Sequence, residues 1–212
     1  MLESTAEQVL EAYCGGGRLE DRIPLDIDSF AEFYLQATID YHRLSSDGSV
    51  LGMSVFQELT VPVVGDGSCK ADVVFPARTI VIDYDALSDS PDSRRRFTLA
   101  HECAHLMLHQ DSVSSGSSMT CSSGSSYRAL TTDSENARTD SFDRAEYQAN
   151  YLGAALLMPR AAFFRAYYEL VPGGWYGLEE QEKHDVVSVL ADTFETSLQA
   201  TGLRIKNLKL AR

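Results

Sequence analysis

Apolar residues recur at helical spacing near the start of the chain, give way to short β-rich runs in the middle, and return to helical spacing from about Ser93 onward. Ser4 to Cys14 reads as a first helix with a capping-box pair, Ser4 and Glu7, stopped by Gly15-Gly16-Gly17. A second helix is predicted from about Asp28 to Arg43. From Ser49 to Tyr84, Val50, Met53, Val55, Val61, Val63, Val73, Ile80 and Ile82 are punctuated by Pro62, Gly65, Gly67 and Pro76, which predicts short strands with a turn at Gly65-Asp66-Gly67. A helix follows from about Ser93 through His109. Ser112 to Ser126 holds nine serines and two glycines and reads as a flexible polar loop. Further helices are predicted at about Phe142 to Leu157, from Pro159 onward, at about Glu182 to Phe194, and at Ser197 to Leu208. Helix, strands, then helices predicts an α+β fold. The expected division is a main domain over 1–172, carrying a Ser/Gly-rich insert at 112–141, and a C-terminal helical segment over 173–212.

Composition narrows the function classes. The 212 residues carry 18 Lys plus Arg against 31 Asp plus Glu, a net charge of −13. That balance argues against a protein that coats nucleic acid or an anionic membrane, because both need clustered cations. The first ten residues lack a basic and an apolar segment, so no signal peptide is expected, and no apolar run reaches the ~20 residues of a membrane span. Cys14, Cys69, Cys103 and Cys121 form no CxxC pair and read as free thiols of a reducing cytoplasm.

The helix predicted through His109 contains His101-Glu102-Cys103-Ala104-His105, an HExxH pattern. Residues four apart lie on one helical face, so His101 and His105 can reach a single ion while Glu102, about 100° round, can reach a water beside it. Chance places this pattern in on the order of one per cent of shuffled chains of this composition. The helix is apolar nearly all round, which predicts burial, and two adjacent buried imidazoles need a reason: a shared metal ion, or, as the alternative, two core histidines satisfied by hydrogen bonds. Cys103 faces away from the ligand stripe and reads as core.

A catalytic zinc takes three protein ligands and keeps one open position. His109 lies ~12 Å along the helix axis from His101, too far to join it on one ion, and reads as a helix-end histidine at the C-terminal dipole. Asp111 sits where a longer motif has its third ligand, but Leu108 replaces that motif's glycine. Glu146 is the stronger candidate: Phe142, Ala145, Ala149, Leu152, Gly153, Leu156 and Leu157 form one apolar arc, and Glu146 falls inside it. A carboxylate aimed into a core is costly unless it is paired or ligates a metal. Asp143 and Asn150 fall at the edge of the arc.

The stretch Arg95 to His109, with Glu146-Tyr147-Gln148-Ala149-Asn150 and Ala154-Ala155-Leu156-Leu157-Met158-Pro159, resembles the ImmA/IrrE family of zinc metallopeptidases. The resemblance implies a zincin-like core with a small sheet on the active-site helix. It also implies a cytoplasmic endopeptidase that cleaves helix-turn-helix repressors and so switches on stress or mobile-element genes. Many members carry a second acid where this chain has Gln148. With Zn²⁺ on His101, His105 and Glu146, Glu102 is the expected general base, and activity is expected to fall below about pH 6, where imidazoles protonate. Tyr127, Tyr147, Tyr151 and Arg96 are candidate oxyanion donors, and Thr79 to Tyr84 is the expected sheet edge for a substrate strand. The expected partner is a protein substrate, a DNA-binding repressor, with no direct contact to nucleic acid or membrane. The competing reading is a non-catalytic, metal-stabilised module that sequesters a repressor.

Overall fold

The computed structural model describes residues 1–65, 69–110, 118–122 and 139–211. In chain order its elements are α1 (Leu2–Cys14), α2 (Ile27–Ser29), β1 (Thr38–His42), β2 (Val50–Val55), β3 (Leu59–Val64), β4 (Lys70–Phe75), β5 (Thr79–Asp83), α3 (Tyr84–Leu87), α4 (Asp92–Leu108), β6 (Ser118–Ser122), α5 (Thr139–Leu157), α6 (Arg160–Leu170), α7 (Glu180–Phe194) and α8 (Leu198–Asn207). Among the described residues, eight α-helices with small sheets make this an α+β fold. Contacts divide it into two compact units, Ile27–Gly153 and Met1–Asp26 with Ala154–Arg212.

The Ile27–Gly153 unit is built on a four-stranded sheet of order β1-β5-β2-β6, in which β1 runs parallel to β5 and the other pairs are antiparallel. Two-residue alternation gives β2 two different faces. Met53 and Val55 join Val81 of β5 and Val61, Val63 and Phe75 of the separate β3–β4 hairpin in one buried cluster. Gly52 and Ser54 point the other way, onto α4. Asp83 ends β5 and caps α3, accepting from the backbone N–H groups of Asp85 and Ala86 at 3.0 and 2.8 Å. Arg95 fixes the start of α4 with bonds of 2.8 and 3.1 Å to the Asp28 carboxylate and 2.9 Å to Asp92. The middle of α4, Thr98 to Leu106, is buried without interruption, as its apolar circumference predicts.

The other unit is helical. Met158, Phe163, Tyr167, Leu190, Phe194 and Ile205 share its core. Arg204 is buried there; its Nε donates to the Met158 carbonyl at 3.0 Å and its guanidinium also binds the Glu3 carboxylate.

Four expectations are corrected. The helix expected over Asp28 to Arg43 ends in a π-turn at Phe30–Tyr34; the backbone turns at Gln36 (φ 54°) and continues as β1. Thr38, Ile39 and Tyr41 are β-formers, and pairing along β5 overrides the helical spacing. The Ser4–Glu7 capping box does not form: α1 starts at Leu2, and Glu7 instead receives two bonds, 2.9 and 3.1 Å, from Arg160. Within the serine-rich stretch, Ser118–Ser122 is strand β6, paired with β2. Thr79–Asp83 lies between β1 and β2, so its backbone is paired on both sides and it is no edge for an added strand. The turn residues Asp66 and Gly67 lie outside the described residues; the flanking hairpin registers Val64 with Lys70. Gly15 ends α1 as expected, in the left-handed conformation at φ 57°.

Gly153 of α5 is a packing glycine. A Cβ there would lie 3.1 Å from the His101 backbone nitrogen and 3.2 Å from the Ala100 carbonyl, atoms that cannot rotate away. Gly202 of α8 has nothing within 4 Å. Gly153→Ala is therefore expected to destabilise by about 1–3 kcal/mol through overpacking. Gly202→Ala should stabilise by about 0.5–1 kcal/mol through helix propensity, and urea titration of the two variants checks the contrast.

Candidate metal centre

His101 and His105 lie one turn apart on α4, and their Nε2 atoms are 2.9 Å from one another. Glu146 of α5 meets both, with Oε2 3.2 Å from His101 Nε2 and Oε1 3.1 Å from His105 Nε2. All three residues are buried, Glu146 at 3% exposure and the two histidines at 0%. The close approach at Gly153 sets this geometry: it lies two helical turns after Glu146, on the same face of α5, and lets that face settle against the α4 backbone.

The donors fit one metal ion. Ligands bonded at ~2.0–2.1 Å around a tetrahedral centre lie about 3.3 Å apart, and the spacing here is 2.9 to 3.2 Å. Both oxygens of Glu146 are buried with no hydrogen bond of ordinary geometry. Two imidazoles and one carboxylate form a nitrogen and oxygen set that suits a first-row divalent ion.

The outward ring nitrogens are also occupied. His101 Nδ1 lies 3.2 Å from Asn150 Oδ1. His105 Nδ1 lies 3.0 Å from His109 Nδ1, and His109 Nε2 lies 3.1 Å from Gln148 Oε1. Burial drives the His105 imidazolium down, to about 4, so this ring is neutral near pH 7. At His101, burial acts in the same direction but is outweighed by the Glu146 and Glu102 carboxylates, and the net shift is upward from 6.5. At Glu146, burial is outweighed by the two imidazoles, and the carboxyl sits below its ordinary range.

Glu102 is buried on the β2 side of α4. The Ser54 hydroxyl lies 2.5 Å from Glu102 Oε2 and 3.0 Å from the Glu102 carbonyl. A Cβ on Gly52 would stand 3.0 Å from Glu102 Oε1 and 2.9 Å from the Thr98 methyl, so only glycine leaves the carboxylate its space. A register shift between Val50 and Gly52 in the β2–β6 pairing marks a bulge beside this contact.

The family model Peptidase_M78, described as the IrrE N-terminal-like domain, matches residues 51–206, well over half of the chain. The chain belongs to the Peptidase_M78 family. A search of the curated proteins found no match. Membership makes the chain a metallopeptidase by family and agrees with the ImmA/IrrE resemblance of the α4 and α5 motifs. The Peptidase_M78 match begins in β2 and takes in α4 and α5, so it covers every residue of the donor group.

Of the residues singled out in the sequence, His101, His105 and Glu146 come together. His109 stays outside that group but touches it through His105, and Asn150 touches it through His101. Asp143 is exposed, and Tyr147, 64% exposed, lies with its ring 6.0 Å from Tyr151. Arg96 is buried. Asp111 and Tyr127 lie outside the described residues. Gly52, Ser54 and the role of Gln148 were missed; the alternation Gly52-Met53-Ser54-Val55, small against bulky, was the available signal. No described helix is long and apolar enough to cross a membrane.

Two outcomes follow from this environment. Protons compete with a metal ion for His101, whose neighbouring carboxylates raise its pKa above 6.5, so metal affinity should weaken as pH falls; chelator competition across pH measures it. Cys103 is fully buried and burial raises its thiol pKa further, whereas Cys69 is exposed. An aromatic disulfide reagent should modify Cys69 rapidly in the native protein and Cys103 only on unfolding, as mass mapping would show.

Proposed function

We propose that the protein is a zinc-dependent endopeptidase in which His101, His105 and Glu146 hold the metal and Glu102 is the general base. The observation that carries this reading is the buried donor group of His101, His105 and Glu146 with Glu102 on the adjacent helical position, in a chain of the Peptidase_M78 family. A zinc ion bound there would lower the pKa of a water to around 7 and polarise the scissile carbonyl. Glu102 accepts the proton of the attacking water and hands it to the leaving amine. Ser54 holds the Glu102 carboxylate through Oε2, and Gly52 keeps its space open. The glutamate as third ligand makes this a gluzincin-type centre.

The substrate we assign is a basic helix-turn-helix repressor, whose cleavage switches on stress or mobile-element genes. Family membership supports it, and so does the net charge of −13, which attracts a cationic partner. Direct nucleic-acid binding is disfavoured by the same charge and by Arg204 of α8, which is turned inward onto Glu3 and the Met158 carbonyl. The free thiols Cys14, Cys69 and Cys103 fit a cytoplasmic setting.

Wild type and Glu102→Gln should contain equal zinc by elemental analysis, while cleavage of a candidate repressor falls by a factor on the order of 10²–10⁴ in the variant. Glu146→Ala should lose zinc. Tight binding of the repressor without cleavage by either protein would instead identify a sequestering module. Raising ionic strength should lower kcat/KM, and a salt-independent value would refute electrostatic attraction of the substrate.

A further inference from the structure

We propose that Gln148, acting through His109, is a positioning residue that fixes His105 in the tautomer presenting Nε2 to the metal. The inference rests on the metal-centre reading above, and not on the identity of any substrate. Its basis is an unbroken chain of side chains: Gln148 Oε1 to His109 Nε2 at 3.1 Å, and His109 Nδ1 to His105 Nδ1 at 3.0 Å.

An amide oxygen only accepts, so the hydrogen of this neutral His109 ring lies on Nε2. Its Nδ1 then carries a lone pair and accepts from His105 Nδ1–H. That places the His105 lone pair on Nε2, the atom facing His101 Nε2 and Glu146. With the opposite polarity, His105 would carry its hydrogen on Nε2 and could not ligate through that atom. His101 is oriented more directly, by Asn150 Oδ1 at 3.2 Å. Among the described residues the neighbour of His105 Nδ1 is another imidazole, itself able to take either tautomer, which Gln148 makes single-valued. The same helix, α5, thus supplies the Glu146 carboxylate and both amides that set the polarity of the histidines. The relay needs an acceptor at 148, not a charge.

The test measures zinc affinity by chelator competition and reads the histidine tautomers by long-range ¹H–¹⁵N correlation in the zinc-loaded protein. Wild type should show His109 as the Nε2–H tautomer. Gln148→Leu, which fills the space without an acceptor, should weaken zinc binding ~10–100-fold and scramble the His109 tautomer. Gln148→Glu, which keeps an acceptor, should bind within about threefold of wild type. His109→Ala should lose as much as Gln148→Leu, and the double variant no more than either, since the two act in series. Wild-type affinity and an unchanged tautomer in Gln148→Leu, equal losses in the Leu and Glu variants, or additive losses in the double variant would each overturn the relay. A wild type that binds no zinc would overturn the metal-centre reading and the relay together, which distinguishes that failure from loss of the relay alone.

Discussion

Three polar donors buried at one point are the constraint on which the Ile27–Gly153 unit depends. A carboxylate at 3% exposure between two imidazoles at 0% gives up hydration that an apolar interior does not return, and two ring nitrogens 2.9 Å apart repel if both carry lone pairs. The arrangement is tolerable with a proton or a cation among the donors. The shifts show the proton solution, with His101 pushed up and Glu146 pushed down. A divalent ion satisfies all three donors at once, and the surrounding structure holds them together at backbone level. Gly153 removes a side chain where α5 meets α4, and Thr98 to Leu106 of α4, histidines included, are buried.

The sheet contributes through the period of two. Met53 and Val55 are large and apolar and pack with the β3–β4 hairpin, while Gly52 and Ser54 are small and lie under α4. The swap of bulk between the two faces lets Glu102 sit against the strand and gives it a hydroxyl for one oxygen. A one-residue slip of β2 would put Met53 where Glu102 needs room and Ser54 in the apolar cluster, so the register and the surroundings of Glu102 are one specification. The register with β5, Met53 opposite Val81 and Ser54 opposite Ile80, carries that specification to the centre of the sheet.

How much of this was legible in the sequence depended on how local the cause was. HExxH and Glu146 were readable because each is a statement about one helix: spacing four on α4, and a carboxylate within an apolar arc on α5. Most element types were readable for the same reason. The segment after Asp28 was not, because Thr38 to His42 becomes a strand through pairing with β5, whose residues lie about forty positions later. β6 was hidden because serine-rich composition describes hydration and not the hydrogen bonds β2 offers along its open side.

His109 shows the boundary most clearly. Its distance along the axis sets it apart from the group of His101, His105 and Glu146, and its place at the helix end suggested an interaction with the dipole. Yet the residue is buried, at 7% exposure, and its ring bridges His105 and Gln148. A ring nitrogen one turn from a ligand can reach the ligand's outer nitrogen even when it cannot reach the metal. Spacing along one helix thus decides which residues can ligate, whereas the polarity of the ligands is decided by acceptors on a second helix. That second helix is joined to the first by a stretch whose length says nothing about the approach at Gly153, so the outer partners become visible only when both helices are in place.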